Sequence, residues 1–463
     1  ATGLNNGVKL IRKDGSDSLF AVYADLNGSL MYARSGDGST WTREELTQNG
    51  YYPALCADSS GRRWVVAVVG EHGDFALEAR WLDDSVWSGP ETLYAGNWDP
   101  NYIHPVSVAG SSDPANPCAY AAWRWRHDSG STPYLLFFKF DGDSVYADTV
   151  AQGIGADPCL AAQPRDGRDL IHIVWGDGWS TVSYTVADSS MGATEWRGDL
   201  CYDWEPEIDL DETGPYSRHA VVAADADRVV VAWAEDEQDI YVRWRSTDSA
   251  HDNFADTVNV SDSEAASDHP SIAMGDSVVV VWEERHSPED SDIRASVEFE
   301  AGFTVVDNEG RATYPFAVFQ NKASGDSAMP LLHVIHSDAP QENYYEVGYA
   351  VRNLKTGGGG GQQSGGNVGP HIRPELAACR PNPFSRLTQI RYQFPREGEA
   401  LLRVYDASGR VVRTLAEGRH KPGVYTVTWD GTDARGRTVP NGVYFYRLDA
   451  PGFRDVKKAV VMK

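Results

Sequence analysis

Residues 228–247 read RVVVAWAEDEQDIYVRWRST. A β-branched run ends in Trp233, an acidic turn follows, and an alternating run, IYVRWR, returns. Two such runs split by a short polar turn specify antiparallel strands joined by an exposed loop. The phrase recurs along the first three quarters of the chain. Its relatives are SLFAVYAD (18–25), RWVVAVVGE (63–71), CAYAAWRW (118–125), DLIHIVWGD (169–177), SVVVVWEER (277–285) and PLLHVIHSD (330–338). The position of Trp233 is held by Tyr23, Val69, Trp123, Trp175, Trp282 and His336 in the other copies. Successive spacings are 46, 54, 52, 58, 49 and 54 residues. A four-stranded propeller blade takes roughly 40–50 residues, so seven copies at this period predict a seven-bladed β-propeller.

The flanks of each copy supply the rest of a blade. A short strand precedes it, often opened by Pro53, Pro105, Pro158, Pro270 or Pro315, where proline removes no ladder donor. A third strand follows (SLMYARS, FALEARW, IYVRWRS), then a poorer fourth ending in motifs such as ETLY and DTVNV. The tryptophan-ended strands read as continuous apolar runs because neighbouring blades cover both faces. Their tryptophans are therefore expected in the blade-to-blade core. The seventh copy lacks a fourth strand, and TGLNNG (2–7) is the candidate to close that blade.

Composition agrees with an all-β chain. Of 463 residues, 41% are apolar and 11% aromatic, and the 44 glycines and 24 prolines imply many turns. No apolar run approaches the ~18 residues that span a bilayer. Ala1 in place of Met is read as a processed, mature start. Five scattered cysteines, with no CxxC spacing, are expected as small buried thiols; a Cys159–Cys201 bridge is the one pairing considered.

The net charge of −26 is uneven. Residues 375–463 hold 16 Lys+Arg against 9 Asp+Glu, net +7, which leaves −33 on the remainder. That remainder repels nucleic acid and anionic membranes, and suits neutral ligands or cations. Between the two regions, TGGGGGQQSGGNVGP (356–370) is a flexible linker by composition, with a mean reach of about 20 Å. The expected organisation is propeller 1–355, Gly-rich linker 356–373 and a small Ig-like β-sandwich 374–463. The last rests on the alternating strands TQIRYQF, ALLRVYD, YTVTWDG and VYFYRLDA, punctuated by SGR, DARGR and PNG.

Two resemblances follow from these residues. PNPF (381–384), TQIRYQFP (388–395), VYDASGRVVRTL (404–415), PGVYTVTWDGTDARGRTVPNGVYFYRL (422–448) and the tail KKAVVMK (457–463) resemble C-terminal sorting domains of the type IX secretion system and the related Ig-like domain of flagellar hook-capping proteins. This implies export across an outer membrane, a secreted or cell-surface location, and a secretion-machinery partner for residues 374–463. SGDGSTW (35–41), with STDSAHDNF (246–254) and ADSSMGATEW (187–196), resembles the Asp boxes of sialidase-like propellers. Asp boxes are structural: Asp and Ser satisfy turn amides while Trp packs. The aromatic-Arg-Ile-Pro motif of sialidases is missing, and VKLIRKDG offers only Arg12, so sialidase activity is not expected.

Ligand sites in propellers gather where strand-two turns and interblade loops share a face. The candidates there are Trp98, Asp99, Tyr102, His104, His127, Asp177, Trp179, Trp204, Glu235, Asp236, Arg285 and His286. Trp and Tyr stack on sugar faces while carboxylates bond hydroxyls. The expected role is therefore non-enzymatic recognition of an extracellular glycan or surface polymer. Paired carboxylates or His–Tyr chemistry keep a glycoside hydrolase or polysaccharide lyase open as an alternative, with a structural part in an extracellular assembly as another. No cofactor is called for. Asp203, Asp209 and Asp211 form an oxygen-rich stretch that could bind Ca²⁺, but it follows no recognised calcium spacing.

Overall fold

The computed structural model describes residues 10–12, 18–25, 28–36, 40–71, 74–83, 86–97, 103–128, 130–176, 181–189, 204–211, 217–236, 238–247, 250, 252–261, 263–275, 277–287, 290–300, 302–306, 311–320, 331–341, 344–353, 375–376, 379, 382–394, 398–406, 408–420, 423–450 and 453–462. The expected linker, the closing segment 2–7, Asp37 and Cys201 lie outside them. Among the described residues every regular element is a strand, and no helix is long and apolar enough to cross a membrane.

The chain divides into two compact units, Ala1–Ala339 with Val347–Gly369, and Pro340–Glu346 with Pro370–Lys463. In the first unit each repeat is an antiparallel sheet in sequence order. The first repeat is Leu10–Arg12, Leu19–Ala24, Leu30–Ser35 and Trp41–Thr47. The second begins with Gly50–Ala57 and has five strands, because Val86–Trp87 and Glu91–Asn97 both pair with Asp74–Asp83. The third, fourth and fifth, opening with Val106–Gly110, Cys159–Arg165 and Ser217–Ala224, have four strands each. The sixth, from Ala266–Met274, joins the three strands Arg311–Gln320, Leu331–Gln341 and Tyr344–Asn353 in one seven-stranded sheet. The link is a single parallel pair, Ser291 with Arg311, beside a 2.9 Å bond from Ser291 Oγ to the Ala312 carbonyl.

The opening strands of successive repeats pack against one another, and Leu10–Arg12 touches both Gly50–Ala57 and Arg311–Gln320. Leu10, Leu19, Ala21 and Tyr23 share a cluster with Ile335, Phe316 and Val318. The approach is tight: a Cβ on Gly110 would lie 1.9 Å from the Ala57 carbonyl oxygen of the preceding repeat. Trp123, Trp175, Trp233 and Trp282 are all buried, each in a cluster drawn from more than one repeat. The position expected to be interblade core is core. Cys56, Cys118, Cys159 and Cys379 are buried free thiols, so Cys159 is not in a bridge.

Polar clamps also join the sheets. Asp169 of the fourth repeat accepts from Ser111 Oγ at 2.7 Å and Tyr120 OH at 2.8 Å, both in the third. Between the fourth and fifth, Arg245 donates to Tyr184 OH (3.0 Å), and Tyr184 OH lies 2.6 Å from His172 Nδ1. His172 Nε2 is 3.0 Å from Gln163 Oε1, and Gln163 donates to the Asp225 carbonyl at 2.6 Å. This chain is satisfied by a neutral imidazole with its proton on Nε2. Burial, aided by Arg245, lowers the His172 pKa from 6.5 to about 3.

Two sequence expectations need correction. Pro53, Pro270 and Pro315 do not open their strands; they sit inside them, at register shifts between Tyr51 and Ala54, Asp268 and Ser271, and Thr313 and Phe316. The ladder skips there, so the missing N–H again costs no bond. In the second repeat the residue opposite the shift is Ala67, not Val69, because Tyr51 pairs with Val68 and Ala54 with Val66.

The second unit has a three-stranded sheet, Glu375–Leu376, Thr388–Phe394 and Gly423–Trp429, and a four-stranded one. The four-stranded sheet orders Val411–His420, Gly398–Tyr405, Gly442–Ala450 and Phe453–Val461. Both contribute to a core around Trp429, Tyr446, Leu402 and Ile390. Two of its turns use the same device. Asp406 accepts from the Ser408 and Arg410 amides, both at 3.0 Å, and Asp433 from those of Arg435 and Arg437, both at 2.9 Å.

Candidate functional site

The register shifts organise the chemistry of the first unit. In the second, fifth, sixth and seventh repeats, two residues of the opening strand face one on its neighbour. The first of the two is Tyr52, His219, His269 or Tyr314, with φ of 48°, 53°, 52° and 52°. A side chain other than glycine rarely adopts this left-handed backbone, and a bulge that enforces it re-aims the side chain. His104 and Asp157 hold the matching place before Pro105 and Pro158 in the third and fourth repeats. One position in each of the second to seventh repeats thus supplies two phenols, three imidazoles and a carboxylate.

These residues meet in two arcs. In the first, His104 Nδ1 is 3.0 Å from Asp157 Oδ1, with Arg124 Nη1 at 3.9 Å from the same oxygen. Burial and the Asp157 charge raise the Tyr52 pKa. Burial lowers that of Arg124, against the pull of Asp157. In the second, the His219 and His269 rings stack with centroids 4.3 Å apart, and Tyr314 meets His269 edge-on at 4.3 Å. His219 Nδ1 lies 2.6 Å from Asp268 Oδ1, and His269 Nδ1 lies 3.1 Å from Glu283 Oε2 and 3.7 Å from Asp268 Oδ2. Arg285 Nη2 reaches Glu283 Oε1 at 3.2 Å. Burial drives the Asp268 carboxyl upward, but the His219 bond, both imidazole charges and the His269 amide outweigh it and hold the pKa well below the ordinary range.

The residues expected from sequence fall in several places. His104 and Arg285 join the arcs. Trp204 packs edge-on against Phe137 at 5.3 Å and donates to Asp148 at 3.1 Å, an interrepeat packing position on the third repeat. His127 lies on an exposed turn whose amide bonds Ser131 Oγ at 3.1 Å. His286 is paired with Asp292 at 3.2 Å. Glu235 and Asp236 form a separate acidic group with Asp211 and Asp239. Burial and those three neighbours raise the Glu235 pKa. Asp211 accepts a bond from Ser217, while Asp209 is exposed. Trp98, Asp99, Tyr102, Asp177, Trp179 and Asp203 lie outside the described residues.

Sequence reasoning passed over Tyr52, Asp157, Asp268, His269 and Tyr314 as site residues. The signal was available: the residue before each strand-one proline is Tyr, His or Asp in YP, HP, DP, HP and YP. A residue before proline is restricted by its neighbour's ring, so it marks a fixed geometry.

Comparisons with known proteins bear on the two units differently. Residues 388–451 match the FlgD Ig-like domain family. The Basal-body rod modification protein FlgD of Salmonella typhimurium is 56% identical over 47 residues, 10% of this chain and 20% of its own length; that of Salmonella typhi matches equally. The matched stretch is thus a fifth of those relatives. Among solved structures, an Aleuria aurantia lectin mutant in complex with Fucα1-6GlcNAc is similar over 66% of this chain and 96% of its own, with 12% identity and a TM-score of 0.43. PorZ, a surface component of the type-IX secretion system of Porphyromonas gingivalis, is similar over 100% of this chain and 60% of its own, with 11% identity and a TM-score of 0.35. The catalytic domain of the Coprinopsis cinerea GH62 α-L-arabinofuranosidase covers 56% of this chain and 94% of its own, with 10% identity and a TM-score of 0.34. TM-scores this low fix neither fold nor ligand.

Proposed function

We propose that this chain is a secreted or cell-surface recognition protein that binds a neutral glycan or surface polymer. In this reading residues 1–355 form a seven-bladed, sialidase-like propeller, closed where the first repeat meets the seventh. Residues 356–373 are a tether, and 374–463 a type IX sorting domain. The observation that carries the ligand reading is one opening-strand position that recurs in the second to seventh repeats and is bulged in four of them. Tyr52, His104, Asp157, His219, His269 and Tyr314 combine ring faces with polar edges, the pairing that sugars require. A net charge of −33 outside residues 375–463 disfavours anionic polymers.

The test is a glycan array with the full chain, paired with product analysis on polysaccharide mixtures. Binding without turnover supports recognition. A blank array sinks the glycan reading and leaves a structural part in an extracellular assembly. One observation favours a hydrolase as second reading: Glu235, its pKa raised by burial, stands beside Asp211. A carboxyl whose pKa burial pushes upward, standing near a second carboxylate, is the equipment of a general acid. Product release abolished by Glu235→Gln would support that reading; an absence of products would end it.

A further inference from the structure

We propose that His219, Asp268, His269 and Glu283 form a binding site for one zinc-class divalent ion joining the opening strands of the fifth and sixth repeats. The donor set is the first ground. Two imidazole Nδ1 atoms converge with two carboxylates, a combination that zinc accepts and that hard cations such as Ca²⁺ and Mg²⁺ do not favour. The spacing is the second. One ligand atom from each of His219, Asp268 and His269 lies within 4.8 Å of the others, and Glu283 Oε2 is 3.1 Å from His269 Nδ1. A tetrahedral ion with bonds of about 2.0–2.2 Å holds its ligands about 3.3 Å apart. Within the trio His219, Asp268 and His269 the separations run from 2.6 Å to no more than 4.8 Å and bracket that value, and Glu283 reaches the trio through His269 at 3.1 Å.

Charge is the third ground. Asp268 and Glu283 are 4% and 1% exposed, and Arg285 Nη2 stands 3.2 Å from Glu283 Oε1. Buried carboxylates at one point demand further positive charge. An outer layer that would orient the ligands is already present. The His269 amide donates to Asp268 Oδ1 at 2.8 Å, Arg285 bonds Glu283, and the Tyr314 ring abuts His269. The strained backbone does not mark the site, since Tyr52 and Tyr314 share it without ligands. The ion would clasp two repeats that also meet through the Arg228–Glu298 ion pair at 3.1 Å and the stacked Trp244 and Phe299 rings.

The full chain, stripped with chelator and held in millimolar Mg²⁺ to occupy surface carboxylates, is titrated with Co²⁺ and then Zn²⁺. One equivalent of Co²⁺ should give the visible bands of tetrahedral cobalt, and Zn²⁺ should displace it and raise Tm. His219→Gln and His269→Gln should each weaken uptake beyond the roughly 10–100-fold that losing an outer-layer partner costs. His420→Gln, in the C-terminal unit, should leave it unchanged. If a variant fails to fold, the wild-type spectrum decides alone. No stoichiometric tetrahedral band, or a band that persists in both folded variants, overturns the site.

Discussion

The opening strands of the second and seventh repeats share one backbone irregularity with those of the fifth and sixth. All four skip a residue across the ladder, and all four hold the first bulged residue at φ near 50°. At Tyr52 and Tyr314 the bulge presents a phenol. At His219 and His269 it presents imidazoles that meet Asp268 and, at His269, Glu283 as well. The same scaffold therefore carries two chemistries. The bulge recurs in these four repeats, whereas the third and fourth opening strands begin after the matching residue and pair in unbroken register. What the bulge displays is free to differ, and that difference is where specificity is written.

The comparison can be broken at its shared part first. Trp233 and Trp282 lie opposite the bulges of the fifth and sixth repeats and are fully buried. Trp282→Ala should cost about 3–5 kcal/mol, read from urea midpoints at unchanged m. A loss of under about 1 kcal/mol would mean that the bulge is not braced by the core. The displayed chemistry comes next. Glu283→Ala strands Arg285 and His269 and should cost about 3 kcal/mol. Tyr314→Phe, at the same backbone device, should stay within about 0.5 kcal/mol. Equal losses would erase the distinction drawn between the two pairs of repeats.

A third histidine sharpens it through pH. His172 is wholly buried and neutral, facing Tyr184, Gln163 and Arg245 rather than carboxylates. Its folded pKa, about 3, lies below its ordinary 6.5. The unfolded chain therefore takes up a proton that the native state refuses. The associated stability is complete above pH 6.5 and is lost as the pH falls toward 3, by up to about 1.4 kcal/mol per unit. Urea midpoints for wild type minus His172→Gln, taken across that window, should show this slope; a flat difference would refute the neutral assignment. The smallest effect belongs to the C-terminal unit. Asp433→Ala removes two amide acceptances in an exposed turn and should lower Tm by less than Glu283→Ala does; a Tm equal to wild type would show that the turn does not depend on them.

Much of this fold could be read from the chain. Trp123, Trp175, Trp233 and Trp282 announced the repeats, because a strand covered on both faces must be apolar throughout. DASGR and DARGR announced turns, since Asp followed by Gly favours a local amide-accepting loop. Register was less legible. Val69 is as apolar as Ala67, so composition could not tell which faces the bulge; only the ladder did. The site was the least legible part. Asp268 and His219 are 49 residues apart and meet because adjacent repeats stack. The residues before proline hold the convergent chemistry, joined by Glu283 and Arg285 from just after Trp282. Trp204 read as an exposed platform, yet its indole bonds Asp148 and its ring packs on Phe137.

The central claim is that ligand meets the bulged opening-strand position and not the outer-edge aromatics. The direct measurement is calorimetric titration of the full chain with the best neutral oligosaccharide from an array, repeated on Tyr52→Ala, Tyr314→Ala and Trp204→Phe. The account predicts that both tyrosine variants weaken binding tenfold or more, about 1.4 kcal/mol each, while Trp204→Phe binds as wild type. Wild-type affinity in both tyrosine variants, or loss of binding in Trp204→Phe alone, would contradict it.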